Sequence, residues 1–358
     1  MDYANKQIAF ARDKSTQLSS LALYKVKTPH TPPISPKKIN KTIEIVSIPS
    51  LLKSDTVPLN IGIDIDEQLI CTILSSTYQQ VSITVINEQI DLDILAARRP
   101  DLVFSGVKYF DFENRKLWLN DYLDQHGIAY VASNKAALDG EFDKSNAKLL
   151  IKKAGLATAD YFTTAPDEHP TESSIPIAFP LFIKPVASGD SKGIDAKSIV
   201  NNFADFKLKV ADIWDKQNSR SLVETYLSGR EYSVGIFEDR SSGLLTAMPI
   251  EIIAPKNKNG HRILDFDIKR FDNEQVIAVK NAAIREQLSE LAKSAFVALK
   301  GKAFGRIDIK LDHHRIPHFV EANLMPGLRK GYFYRSCNIN LGLTYEQMIL
   351  RIANNGLA

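Results

Sequence analysis

The sequence has 358 residues, of which 44% are hydrophobic and 24% charged, as in ordinary globular proteins of two or three domains. Its formal net charge of +3 is too small to indicate nucleic-acid binding, and no apolar run approaches the roughly 18 residues of a membrane span. The N-terminus lacks the apolar stretch of a signal peptide. Cys71 and Cys337, the only cysteines, follow no metal-binding spacing and favour a reducing, cytoplasmic location without disulfides.

Residues 1–41 form a basic extension that differs in composition from the rest of the chain. They contain eight Lys or Arg residues against Asp2 and Asp13, and the stretch "KTPHTPPISPKK" from Lys27 is rich in proline. Proline favours an extended backbone over packed secondary structure. Two interpretations remain open: an arm that is mobile or wraps the surface, and an arm that docks onto a partner or an acidic surface.

Strand-like and helix-like segments alternate between positions 42 and 135. The strand-like segments begin at Thr42, Leu59, Ser82, Asp101 and Ala129. Helical apolar spacing follows Ile65 and Glu113, and the second of these segments reaches a glycine that would stop a helix. This alternation predicts a doubly wound α/β domain over 42–135.

The region after position 136 has a different pattern, in which strands dominate. Helices are predicted from Phe142 to Gly155, from Arg285 and from Thr344. Strands are predicted from Pro180, Ser219 and Leu244, and in the two runs of "FGRIDIKLDHHRIPHFVEANLMPG" from Phe304. This pattern indicates a second region of the α+β class.

The two runs after Phe304 alternate apolar and polar residues, as expected for the strands of a hairpin. Because strand periodicity is two, Arg306 and Asp308 share one face, and Phe319, Glu321 and Asn323 share one face of the second run. Pairing of the runs would bring Asp308 close to Glu321 and Asn323. Two carboxylates and an amide oxygen suit Mg²⁺, and Arg306 suits a phosphoryl group. A solvated sheet face with cross-strand ion pairs is the alternative.

Two further stretches carry weaker signals for nucleotide binding. In "FPLFIKPVASGDSKGID", Lys184 ends an apolar strand, and a loop with Asp190 and Ser191 follows. Its glycines would let backbone N–H groups close around phosphate oxygens, although no Walker A or G-x-G-x-x-G motif is present. In "SLVETYLSGRE", Glu224 follows a strand and Glu231 follows a turn, where carboxylates could meet an adenine and a ribose. An ordinary turn and surface charges are the alternatives.

Taken together and in this order, these stretches resemble the ATP-grasp ligases, and most closely the D-alanine–D-alanine ligase family. The resemblance covers roughly Asn60 to the C-terminus and is strongest from Asp143, through "DKSNAK", "FIKPVASGDSKGID", "LVETYLSGREYSVGI", "GRIDIKLD" and "FVEANLMPGL". It implies an α/β domain over 42–135, followed by a central ATP-grasp subdomain over 136–227 and a C-terminal one over 228–358. The two subdomains would enclose the nucleotide.

The resemblance implies a role for each candidate site residue. ATP phosphates would be contacted by Lys144, Lys184 and, on a mobile loop, Lys269. The adenine and ribose would be held by Glu224, Tyr226, Leu227 and Glu231. Two Mg²⁺ ions, with Mn²⁺ as a substitute, would be held by Asp308, Glu321 and Asn323. The oxyanion of a tetrahedral intermediate would be stabilised by Arg306 and the N–H near Gly327, and the loop residues Asp190 and Ser191 would lie beside the substrates.

The amino-acid-binding positions of the family are not preserved. The first predicted strand runs into "GIDIDEQLICT" where the family has a glutamate that holds an ammonium group, Asp190 replaces a serine, and Arg270 replaces a tyrosine. After "NLMPGL" the chain continues as "RKGYFYRSC", where the family proceeds to a serine that binds the second substrate's carboxylate. Candidates for a different pocket are Arg329, Lys330, Tyr332, Phe333, Tyr334 and Arg335, with a surface loop as the alternative.

These expectations combine into a predicted function. The chain would be an ATP- and Mg²⁺-dependent ligase that joins a small carboxylate to an amine through an acyl phosphate, releasing ADP and phosphate. Its substrates would be amino acids or dipeptide-like molecules other than the D-alanine pair, with a lid around "PKNKNGHRILDFDIK" excluding water. The alternatives are a non-catalytic ATP-binding scaffold and a ligase that acts on a peptide or carrier protein. Family precedent also implies a homodimer, with no nucleic-acid or membrane partner.

Overall fold

The computed structural model describes residues 37–49, 62–63, 65–113, 115–187, 191–258 and 260–358. Most of the basic extension over 1–41, most of the strand predicted from Leu59, and the candidate site residue Asp190 lie outside these ranges. None of the helices within these ranges is both long enough and apolar enough to cross a membrane. The domain boundaries predicted at 135 and 227 stay predictions.

The N-terminal part is a parallel three-stranded sheet with helices on both faces. Its elements are Ile39–Ser47 (β1), Glu67–Thr77 (α1), Tyr78–Val85 (β2), Gln89–Arg98 (α2) and Leu102–Ser105 (β3), and the strand order is β2-β1-β3. Side chains alternate along β1, so Ile45 joins the core beside α1 while Val46 joins the core beside α2. The predicted doubly wound arrangement is therefore confirmed.

The segment from Glu113, predicted as one helix, is instead a strand followed by a helix. The elements are Tyr109–Phe112 (β4), Arg115–Trp118 (β5) and Leu119–Gln125 (α3), and β4 pairs with β5 as an antiparallel hairpin. The Tyr109 and Trp118 rings lie 5.3 Å apart across this hairpin. Because cross-strand aromatic pairs stabilise short strands, pairing outweighs the helical spacing of the first few residues, and that part of the prediction is wrong.

The central part contains a four-stranded sheet that a long helix covers. The segment predicted as a strand from Ala129 is a bridge between Val103 and Tyr130. There follow Lys135–Phe142 (α4), Lys144–Lys153 (α5), Tyr161–Thr164 (β6), Leu181–Pro185 (β7), Ile199–Val200 (β8), Phe203–Gln217 (α6) and Ser221–Thr225 (β9). The strand order is β6-β9-β7-β8, and α6 packs on the sheet. The Asp143 carboxylate accepts from two N–H groups at the start of α5, which fixes where that helix begins.

The C-terminal part is built on a five-stranded antiparallel sheet. Its elements are Glu231–Glu238 (β10), Leu245–Ile253 (β11), Phe266–Arg270 (α7), Gln275–Ala278 (β12), Ala282–Ala298 (α8), Phe304–Leu311 (β13), Pro317–Asn323 (β14), Tyr332–Leu341 (α9) and Tyr345–Leu357 (α10). The strand order is β12-β11-β10-β13-β14. Its apolar face packs against α8 and α9 in the main core, and its polar face lines a cleft.

A bulge in β14 changes the predicted face of Phe319. Asp308 pairs with Glu321 while the next residue, Ile309, pairs with Phe319, so Val320 is the extra residue. Phe319 is fully buried in the core, whereas Val320 and Glu321 both line the cleft. The prediction that Phe319 shares the face of Glu321 is therefore wrong, because the extra residue resets the alternation.

Candidate active site

A cleft lies between the central and C-terminal sheets. Most of the site residues predicted from the sequence line it, namely Lys184, Ser191, Glu224, Tyr226, Leu227, Glu231, Lys269, Asp308 and Glu321. Arg306 and Asn323 contact Asp308 from the same hairpin. The structure therefore brings together residues that are up to 137 positions apart in the sequence, from Lys184 to Glu321.

A buried ion cluster of Lys148, Glu224 and Lys184 borders this cleft, and Glu224 and Lys184 line it. The Glu224 carboxylate lies 2.5 Å from the Lys148 ammonium group and 2.9 Å from that of Lys184. The three side chains are 7% exposed or less. Burial alone would raise the pKa of the Glu224 carboxyl, but the two ammonium groups outweigh burial and hold this pKa below its ordinary value.

Lys148 was missed by the sequence analysis, although a signal for it existed. It lies on α5 four residues after Lys144, and residues with this spacing share one face of a helix. Its ammonium group also donates to the Thr158 hydroxyl at 2.6 Å, and that hydroxyl donates to the Phe319 carbonyl at 2.8 Å. The partner Glu224 is 76 positions away, so its proximity could not be read from local spacing.

The turn before Glu231 is packed tightly against β13. The Glu231 carboxylate pairs with the Lys310 ammonium group at 3.0 Å, and the Gly229 N–H donates to the Leu311 carbonyl at 2.9 Å. A Cβ added at Gly229 would lie 2.5 Å from that carbonyl oxygen, which is backbone and cannot turn aside. Glycine at this position therefore allows the close approach that positions Glu231.

We expect Gly229→Ala to lower the free energy of unfolding by about 1–3 kcal/mol, because the clash displaces the backbone at Leu311. Urea unfolding followed by circular dichroism measures the change. The matched control is Gly331→Ala, since a Cβ there meets none of the described atoms within 4 Å. Equal midpoints for the two variants would contradict the assigned packing role of Gly229.

Asp308 is the centre of a polar network on β13. The Arg306 guanidinium donates twice to its carboxylate, at 3.0 and 2.9 Å, and the Ser233 hydroxyl donates at 2.6 Å. Glu321 faces this network across the hairpin. Burial would raise the pKa of Glu321, but Lys144, Lys184, Lys269 and Arg306 lower it to about 2. Glu321 is therefore ionised at neutral pH.

The donor set beside Asp308 fits a magnesium ion. The Asn323 amide nitrogen lies 3.5 Å from an Asp308 oxygen, so its carboxamide is within reach of the Asp308 carboxylate. Carboxylate and amide oxygens are the ligands that Mg²⁺ prefers, and an ionised carboxylate keeps lone pairs beyond those that accept from Arg306. In the part of the chain that the structure describes, no three His, Cys, Asp or Glu side chains cluster as a metal site. A magnesium site here would therefore need Asn323 as its third ligand, beside Asp308 and Glu321.

The loop after β14 is held from the N-terminal side. The Glu141 carboxylate on α4 pairs with Lys108 at 2.6 Å and accepts from the N–H groups of Leu324 and Met325 at 2.6 and 3.3 Å. The next residue is proline, which has no N–H. Gly327 therefore carries the first backbone N–H beyond this anchor, at the position predicted to face an oxyanion.

The residues of "RKGYFYRSC", the segment that follows "NLMPGL", lie partly beside the site and partly in the core. The Arg306 guanidinium lies 5.5 Å from the centre of the Tyr332 ring, and the Tyr332 hydroxyl donates to the Glu274 carboxylate at 2.7 Å. Arg335 pairs with Asp272 just after α7. Phe333 is buried between other aromatic rings and Tyr334 packs on Tyr345, whereas Arg329 and Lys330 are exposed. Tyr332, one of the six candidates for a different substrate pocket, therefore contacts Arg306 and through it the polar network around Asp308.

The lid predicted around Lys269 borders the cleft. Residues 262–264 and Lys269 line it, and the Ser191 hydroxyl donates to the Leu264 carbonyl at 3.0 Å. The loop that follows β7 is therefore tied to the lid. Arg270, which stands where the resembling family has tyrosine, is exposed, and its guanidinium lies 5.6 Å from the centre of the Phe271 ring.

The sequence from residue 150 to 354 matches the profile of a family described as "D-ala D-ala ligase C-terminus", which is more than half of the chain. The chain belongs to the D-alanine–D-alanine ligase family. This membership confirms the predicted family and enzyme class, an ATP-grasp ligase that forms carbon–nitrogen bonds. Lys144 and Lys148 precede the matched region by a few residues.

Relatives of the family resemble this chain along most of its length. A D-alanine–D-alanine ligase of Laribacter hongkongensis is 27% identical over 237 residues, which are 65% of this chain and 72% of that protein. The crystal structure of the Bacillus anthracis D-alanine–D-alanine ligase complexed with ATP has a TM-score of 0.63 at 18% identity, over 88% of this chain and 97% of that chain. The VanG D-Ala:D-Ser ligase of Enterococcus faecalis has a TM-score of 0.61 at 18% identity, over 89% and 100%. These structures confirm the predicted ATP-grasp fold.

Proposed function

We propose that this protein is an ATP- and Mg²⁺-dependent ligase that forms an amide bond between a small carboxylate and a small amine through an acyl phosphate. One observation carries the proposal: Glu224 and Lys184 of the buried ion cluster, the ribose-side Glu231 and the ionised Glu321 all line one cleft. A scaffold that only binds ATP has no need for the polar network around Asp308. The related ligase of Bacillus anthracis, which was crystallised as a complex with ATP, also supports this nucleotide.

The nucleotide would lie along this cleft with its base beside the segment that follows β9. Glu224 would accept from the adenine amino group, Tyr226 and Leu227 would line the base pocket, and Glu231 would bind the ribose. The phosphates would be contacted by Lys144, Lys184 and Lys269. All three lie close enough to Glu321 to lower its pKa, which supports their convergence on one point.

Phosphoryl transfer concentrates negative charge, and the residues around Asp308 are suited to offset it. Arg306 would bind the acyl phosphate and later the oxyanion, together with the Gly327 N–H. Mg²⁺ held by Asp308, Glu321 and Asn323 would neutralise the phosphoryl oxygens. Ser191, tied to the lid at Leu264, would help to close the cleft against water, which protects the acyl phosphate.

The substrates would be amino acids or dipeptide-like molecules other than a pair of D-alanines. Support comes from the chain's own residues, because Arg270 is exposed and Tyr332 covers Arg306 where the family's amino-acid contacts are expected. A cytoplasmic location, where ATP is abundant, and a homodimer belong to the same proposal. Sedimentation analysis of the purified protein tests whether it forms a homodimer.

The proposal predicts that ADP is released only when a carboxylate and an amine are both present with ATP and Mg²⁺. Pools of amino acids, dipeptides and small carboxylates would be screened, and the products identified by mass spectrometry. A new mass equal to two pool members minus water identifies both substrates. Binding of ATP without ADP release in any pool would contradict the small-molecule ligase and favour the scaffold or a carrier-protein substrate. Deleting residues 1–40 then separates these two, because a docking arm matters for a large substrate.

A further inference from the structure

Lys148 is a fourth lysine, in addition to the three that are proposed to contact the phosphates, and it has no assigned part in nucleotide binding. Its side chain is fully buried, and its ammonium group is shared between the Glu224 carboxylate at 2.5 Å and the Thr158 hydroxyl at 2.6 Å. The Thr158 hydroxyl donates in turn to the Phe319 carbonyl at 2.8 Å, beside the bulge of β14. The ammonium group is therefore fixed in place by three elements: α5, β9 and the segment that pairs with β14.

Lys184 stands in a different situation, because two anions compete for it. Its ammonium group pairs with Glu224 at 2.9 Å in this structure, yet the proposed function requires the same group to contact ATP phosphates. If it leaves Glu224, a carboxylate that is 7% exposed loses one of its two counter-charges. An unpaired buried carboxylate is costly and takes up a proton instead.

We propose that Lys148 is a positioning residue that keeps Glu224 charged and oriented while Lys184 transfers from Glu224 to the phosphates of ATP. The inference rests on the proposed binding of ATP in this cleft. Lys148 acts through Glu224 and does not touch the nucleotide. In this exchange, Lys148 stays paired with the Glu224 carboxylate while Lys184 is released to bind ATP.

The charge state of Glu224 affects whether the site prefers adenine over guanine. An ionised Glu224 can only accept hydrogen bonds, which suits the amino group of adenine and disfavours the carbonyl oxygen of guanine at the same ring position. A protonated Glu224 can donate to that carbonyl oxygen. Without Lys148, the transfer of Lys184 to ATP would leave the buried Glu224 carboxylate without a counter-charge. Glu224 would then take up a proton, and the preference for adenine would weaken.

The test compares the equilibrium binding of Mg·ATP and Mg·GTP to the full chain by titration calorimetry. Lys148→Met is expected to weaken ATP binding about 10- to 100-fold and to lower the ratio of ATP to GTP affinity by at least about 10-fold, as loss of a charged hydrogen bond predicts. A general loss of structure would weaken both nucleotides alike and would not change the ratio. Binding is measured without turnover, so it does not depend on finding the ligase substrates.

A double-mutant cycle assigns the effect to Glu224. In a Glu224→Gln background, Lys148→Met should change the nucleotide ratio by less than about 2-fold, because the charge that Lys148 neutralises is gone. The matched control is Lys209→Met on α6, since Lys209 is also buried and paired, with Asp195 at 2.9 Å, but Asp195 does not line the cleft, whereas Glu224 does. It should bind ATP and GTP like the wild type.

Each outcome decides between the proposals. A Lys148→Met variant that keeps the wild-type ratio of ATP to GTP affinity overturns the exchange and leaves the ligase proposal intact. An equally large effect of Lys148→Met in the Glu224→Gln background overturns the route through Glu224. If the wild-type protein binds ATP but turns over no substrate pair, the ligase proposal fails. The ratio of ATP to GTP affinity still decides whether Lys148 acts as proposed. A wild-type protein that binds no ATP overturns both.

Discussion

Replacing Glu321 with alanine is expected to reduce the rate of ADP release about 100- to 1000-fold, because the change removes an ionised carboxylate that faces four cationic side chains. The substitution also takes away one of the two carboxylates of the proposed magnesium site. The rate is measured at saturating ATP with the substrate pair identified by mass spectrometry. Circular dichroism and thermal unfolding of the variant report whether the fold is retained.

The matched control for this prediction is Glu251→Gln. Glu251 lies on β11 of the same sheet, but it lines a groove outside the cleft and pairs with Arg230 at 3.3 Å. We expect its turnover to stay within about 2-fold of the wild type, because Glu251 does not line the cleft. Turnover of Glu321→Ala at the wild-type rate would refute the proposed phosphoryl-transfer site.

Replacing Glu224 with leucine is expected to lower the free energy of unfolding by about 3–5 kcal/mol, because it leaves Lys148 and Lys184 buried without their counter-charge. The loss is large since both lysine side chains are almost completely buried, at 0% and 3% exposed. Urea unfolding at neutral pH, extrapolated to water, gives the difference from the wild type.

Glu168 provides the contrast for this measurement. Its carboxylate pairs with Arg220 through two hydrogen bonds, at 2.7 and 2.6 Å, but both side chains are more than 40% exposed. Glu168→Gln should therefore cost less than about 1 kcal/mol despite good pairing geometry. Similar costs for the two substitutions would show that burial of the ion cluster contributes nothing to its energetics.

The parts of the site predicted correctly from the sequence are those that depend on regular periodicity. The alternation in "GRIDIKLD" places Arg306 and Asp308 on one face, and the structure confirms their contact. The bulge at Val320 has no such signature, because an extra residue in one strand is defined only by the partner strand. Sequence periodicity therefore placed Glu321 on the cleft face correctly but placed Phe319 there wrongly.

Pairing between separate elements explains the remaining differences. Lys148 matters through Glu224, and β5 exists because Trp118 meets Tyr109 across a hairpin. Lys148 and Glu224 are 76 positions apart, and Tyr109 and Trp118, although only nine positions apart, meet only once the hairpin has formed. Their partners become visible only when the topology of the sheets is known. The family's motifs identified the cleft because their order along the chain carries this topology implicitly.

The anchor formed by Glu141 bears on how this protein can be dissected. The region that matches the ligase family begins at residue 150, so a truncated chain starting at Asp143 would keep every candidate nucleotide and metal residue. It would nevertheless lose the carboxylate that accepts from Leu324 and Met325, and with it the restraint on the loop carrying Gly327. The N-terminal region therefore supports the loop that carries Gly327 and cannot be treated as a removable accessory.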